Sequence, residues 1–528
     1  MSKTLPLLQG EITLESALDD DDNMLQALAY PQKRFEYFVY LWKHRSEIEA
    51  IVSYHLGLNE RETCQIGEVK DWMAGSFNVC IPVRVNRAKS RSKRVIIRFP
   101  LPYKVGELQH PGNAEEKIRS EAATFIWIRE NCPTVPIPYL WGFGLPDGKS
   151  FTTPDTLPFH TRLMWYLRRS ALSVLGYPVP CRYISRQCVR TLKTGYLVID
   201  YIEETHGKML SESWEELRHD KNRRLNLFSD LSRIILSLAQ SPLPRIGSLT
   251  IDKHGILCLL NRPLTLRLQH LENEGIPTNI DRSLTYSTTD AYLLDLLLCH
   301  DSRIRNQPNS ILEKFDGQAQ LSTLTAMRAL IPHFANRDLR HGPFVLTLTD
   351  LHQSNIFVDT DWHVKCLIDL EWACSRPLEM LHPPCWLTGR GVDQLAKGEH
   401  LEAYSSVHGE FVDAFENEER LFPRINGDAS YRTRIMRRGW TTGNFWYFYA
   451  LDNPKGLYNI FLQHIQPMFT ELDDKSMVEF ERTLAPYWSV DGLKIIAAKI
   501  KDKEVYDDQL RRAFESPVVN ENADGPSY

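Results

Sequence analysis

The sequence predicts an α+β chain with more than one lobe, and three observations predict it. Short β-rich runs broken by turns fill residues 64 to 199 and frame one periodic helix, Asn113 to Asn131. From Leu217 onward helical periods dominate, beginning with Leu225, Phe228, Leu231, Ile234, Ile235 and Leu238 on one face. A length of 528 residues exceeds what one hydrophobic core usually organises.

In chain order, residues 1–33 are mixed and locally acidic at Asp19 to Asp22, which predicts a flexible or partner-facing arm. Phe38, Leu41, Trp42, Ile48, Ile51 and Val52 give a helical period over Arg34 to Leu56. Two β-rich runs then flank a small-residue turn at Ala74 to Asn78, and Arg94 to Phe99 is an apolar strand with Arg98 inside it. After the helix from Asn113, a Pro-punctuated stretch from Cys132 is too broken for helix. Residues 146–194 are an insertion with a helical stretch, His160 to Leu175. Surface decoration is the default for it, since long insertions cost little. An apolar strand closes on the acidic connector Asp200-Tyr201-Ile202-Glu203.

The second part continues with a helix over Leu217 to Gln240, stopped by Pro242 and Pro244. A β segment over Ile246 to Leu260 turns at His254-Gly255, and helices follow over Ser287 to Cys299 and Gly317 to Phe334. Residues 391 to 516 are mainly helical, with an aromatic cluster at Gly439 to Asp452 that is either core or pocket wall. Residues 516–528 are polar with Pro and Gly, the composition of a disordered tail.

The formal net charge of −5 argues against general nucleic-acid binding. Ten scattered cysteines, with no Cys-x-x-Cys pair, fit a reducing compartment without structural zinc. The N-terminal apolar run is too short for a secretory signal, and no run is long enough to span a membrane. The simple expectation is a cytoplasmic protein.

The chemistry concentrates between Phe344 and Trp372. Phe344 to Leu348, Ile356 to Val358 and Val364 to Ile368 are strands, and Asp350, Asn355 and Asp369 stand at their open ends. Hard oxygen ligands converging this way suit Mg²⁺ shared with substrate phosphates. The order base Asp, metal Asn, metal Asp is that of a phosphoryl-transfer site. Asp-x-x-x-x-Asn alone is also ordinary turn chemistry, and Asp369 after an apolar strand is what makes the pattern specific. Gly75, Ser76, Phe77 and Asn78 form either a turn that covers phosphates or a plain hairpin turn. Arg98 is either a phosphate-holding residue or an edge-strand arginine in solvent. On the helix that follows, Glu116, Glu121 and Glu130 are by themselves expected in solvent. His352 suits a loop-orienting role and Glu371 a supporting role beside Asp369.

Leu-Thr-Asp350-Leu-His352-Gln-Ser-Asn355, followed by Ile-Asp369-Leu-Glu371, resembles the phosphotransfer core of the aminoglycoside phosphotransferase (choline-kinase-like) family, in wording close to a fungal branch. That core usually has His-Gly where this chain has Leu348-Thr349. The resemblance implies a two-lobed, protein-kinase-like α+β fold. A small N-lobe with antiparallel sheet plus helix would span 34–203, and a larger, mainly helical C-lobe 204–515. It implies ATP and Mg²⁺ as cofactors, with Asp350 catalytic and Asn355 and Asp369 on the metal. Arg98, held by Glu121, would steady phosphates, and backbone groups of Asp200, Tyr201 and Ile202 would meet the adenine. The partner would be a small-molecule acceptor of unidentified structure, bound with help from extra helices, with Asp452 among the pocket residues. A pseudokinase or scaffold is the rival reading, motivated by Leu348, Arg98 and the sparse glycine turn. A protein kinase is a weaker third, since no Asp-Phe-Gly to Ala-Pro-Glu segment occurs.

Overall fold

The structure, a computed structural model, describes residues 3–87, 93–189, 191–395 and 398–515. The smaller lobe is organised by an antiparallel sheet in the order Thr63–Ile66, Asn78–Asn86, Lys93–Pro100, Tyr196–Asp200, Leu140–Gly144, Lys149–Thr152, Ile184–Gln187. Met73–Ala74 pairs beside Asn78–Asn86 and closes the hairpin around the small-residue turn. Alternation along the central strands sends Val79, Ile81, Val83, Val95, Ile97 and Phe99 inward. There they meet Leu41, Ile48 and Val52 from two N-terminal helices.

The helix Asn113–Asn131 lies between this sheet and the larger lobe and is buried nearly all round. Ile118, Ala122, Phe125 and Ile126 supply the apolar packing. The same helix carries buried charges at Glu116, Lys117 and Glu121. Helices including Lys221–Ala239, Thr289–Asn306, Lys314–Phe334, Glu399–Glu419 and Gly492–Glu515 make up most of the larger lobe. Two short antiparallel pairings sit among them. Phe344–Leu348 lies against Ala373–Pro377, and Ile356–Val358 against Val364–Leu367. Together they bring the three predicted strand ends to one side. Among the described residues no helix is long and apolar enough to cross a membrane.

Two expectations are corrected here. The acidic arm is ordered from Thr4 onward: its strands and helices Leu14–Asp19 and Met24–Lys43 pack on the C-terminal helix. Ala17 and Met24 meet Tyr506, Leu510 and Phe514, a face more than 480 residues away that no local pattern reveals. The carbonyls of the acidic run are satisfied as well. Gln307 donates to Asp21 at 2.6 Å, and Asn309 donates to Asp20 and Asp22 at 3.1 Å. The insertion at 146–194 is part of the sheet, because Lys149–Thr152 and Ile184–Gln187 add two strands to it. Its helix Phe159–Val174 buries no residue. The proposed tail, 516–528, lies outside the described residues.

Leu510 is fully buried in the small cluster that holds the arm. Leu510→Ala should cost about 2–5 kcal/mol locally. Limited proteolysis should then cut the variant faster within residues 14 to 28; an unchanged cleavage pattern would show that the arm is held elsewhere.

Candidate active site

The loop between Leu348 and Ile356 is fixed at both ends. Thr349 donates its backbone N–H at 3.0 Å and its hydroxyl at 2.7 Å to the Trp372 carbonyl. The departure from the family pattern at this position thus supplies a clamp between the two motif strands. Ile368 N–H donates to the Asn355 carbonyl at 3.0 Å, which ties the third strand to the same loop. The Trp386 indole donates to the Leu351 carbonyl at 2.6 Å.

Within this frame the three predicted oxygen-bearing side chains share one neighbourhood. Asn355 Nδ2 donates to the Asp350 carbonyl at 2.8 Å and approaches Asp350 Oδ2 at 3.4 Å. Its nitrogen is thereby committed, and Oδ1 is the end left for a cation. Asp369 takes the left-handed conformation, φ 58° and ψ 61°, which aspartate tolerates better than most residues. Burial, then the charges of Asp369 and Glu371, push the Asp350 carboxyl up to about 7. Among the described residues no group of three or more His, Cys, Asp and Glu side chains could hold a metal alone. Asn355 and Asp369 are a hard-oxygen pair of the kind Mg²⁺ uses together with water and phosphate oxygens.

Behind this loop lies a buried ionic cluster. Arg98 Nη1 lies 3.2 Å from Glu121, the partner the sequence predicts, and Nη2 pairs with both Asp369 and Glu371. Glu371 has a larger role than support for Asp369. It accepts from Lys117 at 2.5 Å and from Asn78 at 2.7 Å, besides Arg98. Burial alone would raise Glu371, but Lys117 and Arg98 outweigh it and hold its pKa below the usual range. Glu121 is pushed up to about 7 by burial, against the pull of Arg98 and Lys117, and neither of its oxygens accepts a hydrogen bond.

Lys117 is a site residue that sequence reasoning missed. Its side chain is fully buried and shares Glu371 with Arg98. A signal existed: Lys117 and Glu121 stand at i,i+4, so an inward Glu121 carries Lys117 inward with it. Glu116 is corrected too. It is buried and pairs with Arg262 at 2.8 Å and Arg282 at 3.2 Å, on a different side of the helix.

The turn residues divide. Gly75 and Ser76 are exposed, while Phe77 and Asn78 are buried. The Phe77 ring packs 5.1 Å from Trp372, and the Asn78 amide serves Glu371 and Lys117. Their side chains therefore join the hairpin to the 369–372 segment. A Cβ at Gly75 would meet only one atom, at 3.8 Å, so the fold itself does not require glycine there. At the connector, the Asp200 N–H donates to the Tyr139 carbonyl at 3.0 Å. The Asp200 carboxylate takes Trp141 and Lys93, both at 2.8 Å. The N–H and side chain of Asp200 are thus committed within the lobe. His352 is exposed, with Nδ1 3.4 Å from the Ser354 hydroxyl, as suits a loop residue.

A cavity of about 310 Å³ opens beside Asp350, between the strand Phe344–Leu348 and the helix Asn444–Asp452. The aromatic cluster serves in two ways: Phe445 and Tyr447 are core, while Phe448, Tyr449 and Asp452 reach the cavity wall.

A family model described as "Phosphotransferase enzyme family" matches residues 85–379, more than half of the chain. Among solved structures, a macrolide 2'-phosphotransferase type I is similar at 12% identity and a TM-score of 0.28. The match covers 77% of this chain and 95% of that one. No curated protein matches the chain.

Removing Lys117 leaves Glu371 and Glu121 sharing one cation. Lys117→Met should lower the unfolding free energy by roughly 3–5 kcal/mol in denaturant titrations. A loss below about 1 kcal/mol would place Lys117 in solvent. Asp350 carries a second prediction. Its folded pKa, about 7, lies above the ordinary 3.8, so the stability it contributes is complete below the ordinary value and is lost as pH rises through about 7. The melting temperature of Asp350→Asn relative to wild type should therefore climb between about pH 4 and about pH 7 and level off above that. A constant difference across that range would refute the assignment.

Proposed function

The chain belongs to the phosphotransferase enzyme family matched over residues 85–379, and from that premise we propose that it transfers the γ-phosphate of ATP to the hydroxyl of a small molecule, with Mg²⁺. The observation that carries the reading is the convergence of Asp350, Asn355 and Asp369 on one loop system beside Arg98. Asp350 Oδ receives the acceptor's hydroxyl proton as the new O–P bond forms and the bond to the leaving diphosphate breaks. Its elevated pKa, near the working pH, suits a proton acceptor. Asn355 Oδ1 and Asp369 would hold a divalent ion, which would supply positive charge against the phosphate oxygens. Arg98, held by Glu121 and Glu371 as well as Asp369, would supply positive charge beside the phosphates. Lys117 keeps Glu371 ionised, so that Arg98 is not its sole partner. Ser76 offers its backbone N–H to the phosphates, that of Gly75 being donated to the Asn78 carbonyl at 2.9 Å, and Tyr201 and Ile202 offer theirs to the base.

Isothermal titration with MgATP, followed by a metabolite-library phosphorylation screen, tests the reading directly. No nucleotide binding at millimolar concentration would overturn it, and binding without turnover would favour a scaffold. Asp350→Asn should bind nucleotide and lose transfer by about 10²–10⁴-fold. Gly75→Val should leave stability within about 0.5 kcal/mol, because the fold leaves room for a side chain there. It should nonetheless weaken ATP binding about tenfold or more by blocking the close approach of backbone to phosphate. Equal ATP affinity in the valine variant would remove the turn from the site.

A further inference from the structure

The cavity beside Asp350 has a composition that selects its occupant. Its floor and walls are apolar: Leu348, Met380, Trp386, Phe448 and Tyr449 all line it. Three carboxylates reach it: Asp350, Asp393 and Asp452. Asp452 is already neutralised, because Arg376 Nη2 donates to both of its oxygens at 2.7 and 2.8 Å, with the arginine side chain almost fully buried. Asp350 is the group the transfer reaction uses. Asp393 is thus the one carboxylate on the wall with neither commitment, among the described residues. Against it stands Arg267, which lines the same cavity, lies near enough to Asp350 to favour its ionised form, and has no carboxylate partner among the described residues. His382 adds no charge: burial holds its ring neutral, packed 6.0 Å from Phe448.

A polyammonium acceptor here would lose hydration on every charge and find at most one uncommitted carboxylate, with an unpaired guanidinium opposing it. An uncharged apolar molecule loses nothing comparable and gains contact with the aromatic and aliphatic walls. A cavity of about 310 Å³ also sits at the small end of ligand sites. We propose that the acceptor is a small, uncharged, largely apolar alcohol, seated between the strand Phe344–Leu348 and the helix Asn444–Asp452 with its hydroxyl at Asp350. This assignment rests on the phosphotransfer reading for its reaction but not for its binding, and the two can be tested separately.

The probes are naphthaleneethanol as the apolar alcohol and deoxystreptamine as the polyamine alcohol. Saturation-transfer NMR on the full chain without nucleotide reads binding alone. Naphthaleneethanol should bind, Leu348→Asn should weaken it about tenfold, and the volume-conserving Leu348→Met should keep it. With MgATP added, kcat/KM for naphthaleneethanol should exceed that for deoxystreptamine by about tenfold or more. Absent binding of naphthaleneethanol overturns the assignment, as does equal binding to wild type and Leu348→Asn. So does preferential transfer to deoxystreptamine, which would leave phosphotransfer itself standing. If binding follows the predicted series but no phosphate moves, the ligand class of the cavity is upheld and the reaction is what fails.

Discussion

Everything in the site leans on the salt-bridged knot of Arg98, Lys117, Glu121, Asp369 and Glu371. It draws its members from three elements: the strand Lys93–Pro100, the helix Asn113–Asn131 and the segment after Val364–Leu367. All but Asp369 are nearly inaccessible to solvent. Taking five charges out of water is expensive, and Coulomb attraction repays it only where geometry and hydrogen bonding are good. The knot is therefore poorly explained as a source of stability. It is better explained as a register device: each cation can satisfy its carboxylates only when sheet, helix and loop hold one relative position. Arg262 with Glu116 and Glu272 acts the same way on another side of the helix, anchoring it to the larger lobe.

How much of this was legible follows from the range of the interactions. The strands around Asp350, Asn355 and Asp369 were legible because their signal is local: apolar runs of three to five residues with polar groups at their ends. Glu121 and Arg98 were legible through the order of elements. Lys117 was not, because a lysine on a helix is ordinarily a surface residue and only the inward setting of Glu121 turns its spacing into a constraint. Phe77 and Asn78 were read only as part of a turn whose backbone could cover phosphates; the ties of their side chains to Trp372 and Glu371 span nearly 300 residues and leave no local pattern. The arm failed for a related reason. Its acidic run looks solvated until Gln307 and Asn309, nearly 290 positions away, are seen to hold its carbonyls.

The cavity beside Asp350 was the least legible part. Its wall is assembled from residues around 234–238, 346–352, 376–393 and 448–453, with Arg267 from another helix. No one of these segments has a composition that marks a pocket. The aromatic run at 445–449 shows why: at helical spacing its rings alternate between core and cavity, and a one-dimensional pattern cannot assign the faces.

The charge balance links the two halves of the site. The knot holds three carboxylates against two cations, and Asp350 stands beside it as a fourth carboxyl, pushed up to about 7 by burial and by those neighbours. A cation held by Asp369 would itself favour the ionised form of Asp350, the form that can take a proton. An apolar alcohol in the neighbouring cavity would push the other way, because displacing water there raises the cost of a charged Asp350. Both effects act on the same carboxyl, so occupancy of the metal position and of the cavity would be coupled through Asp350.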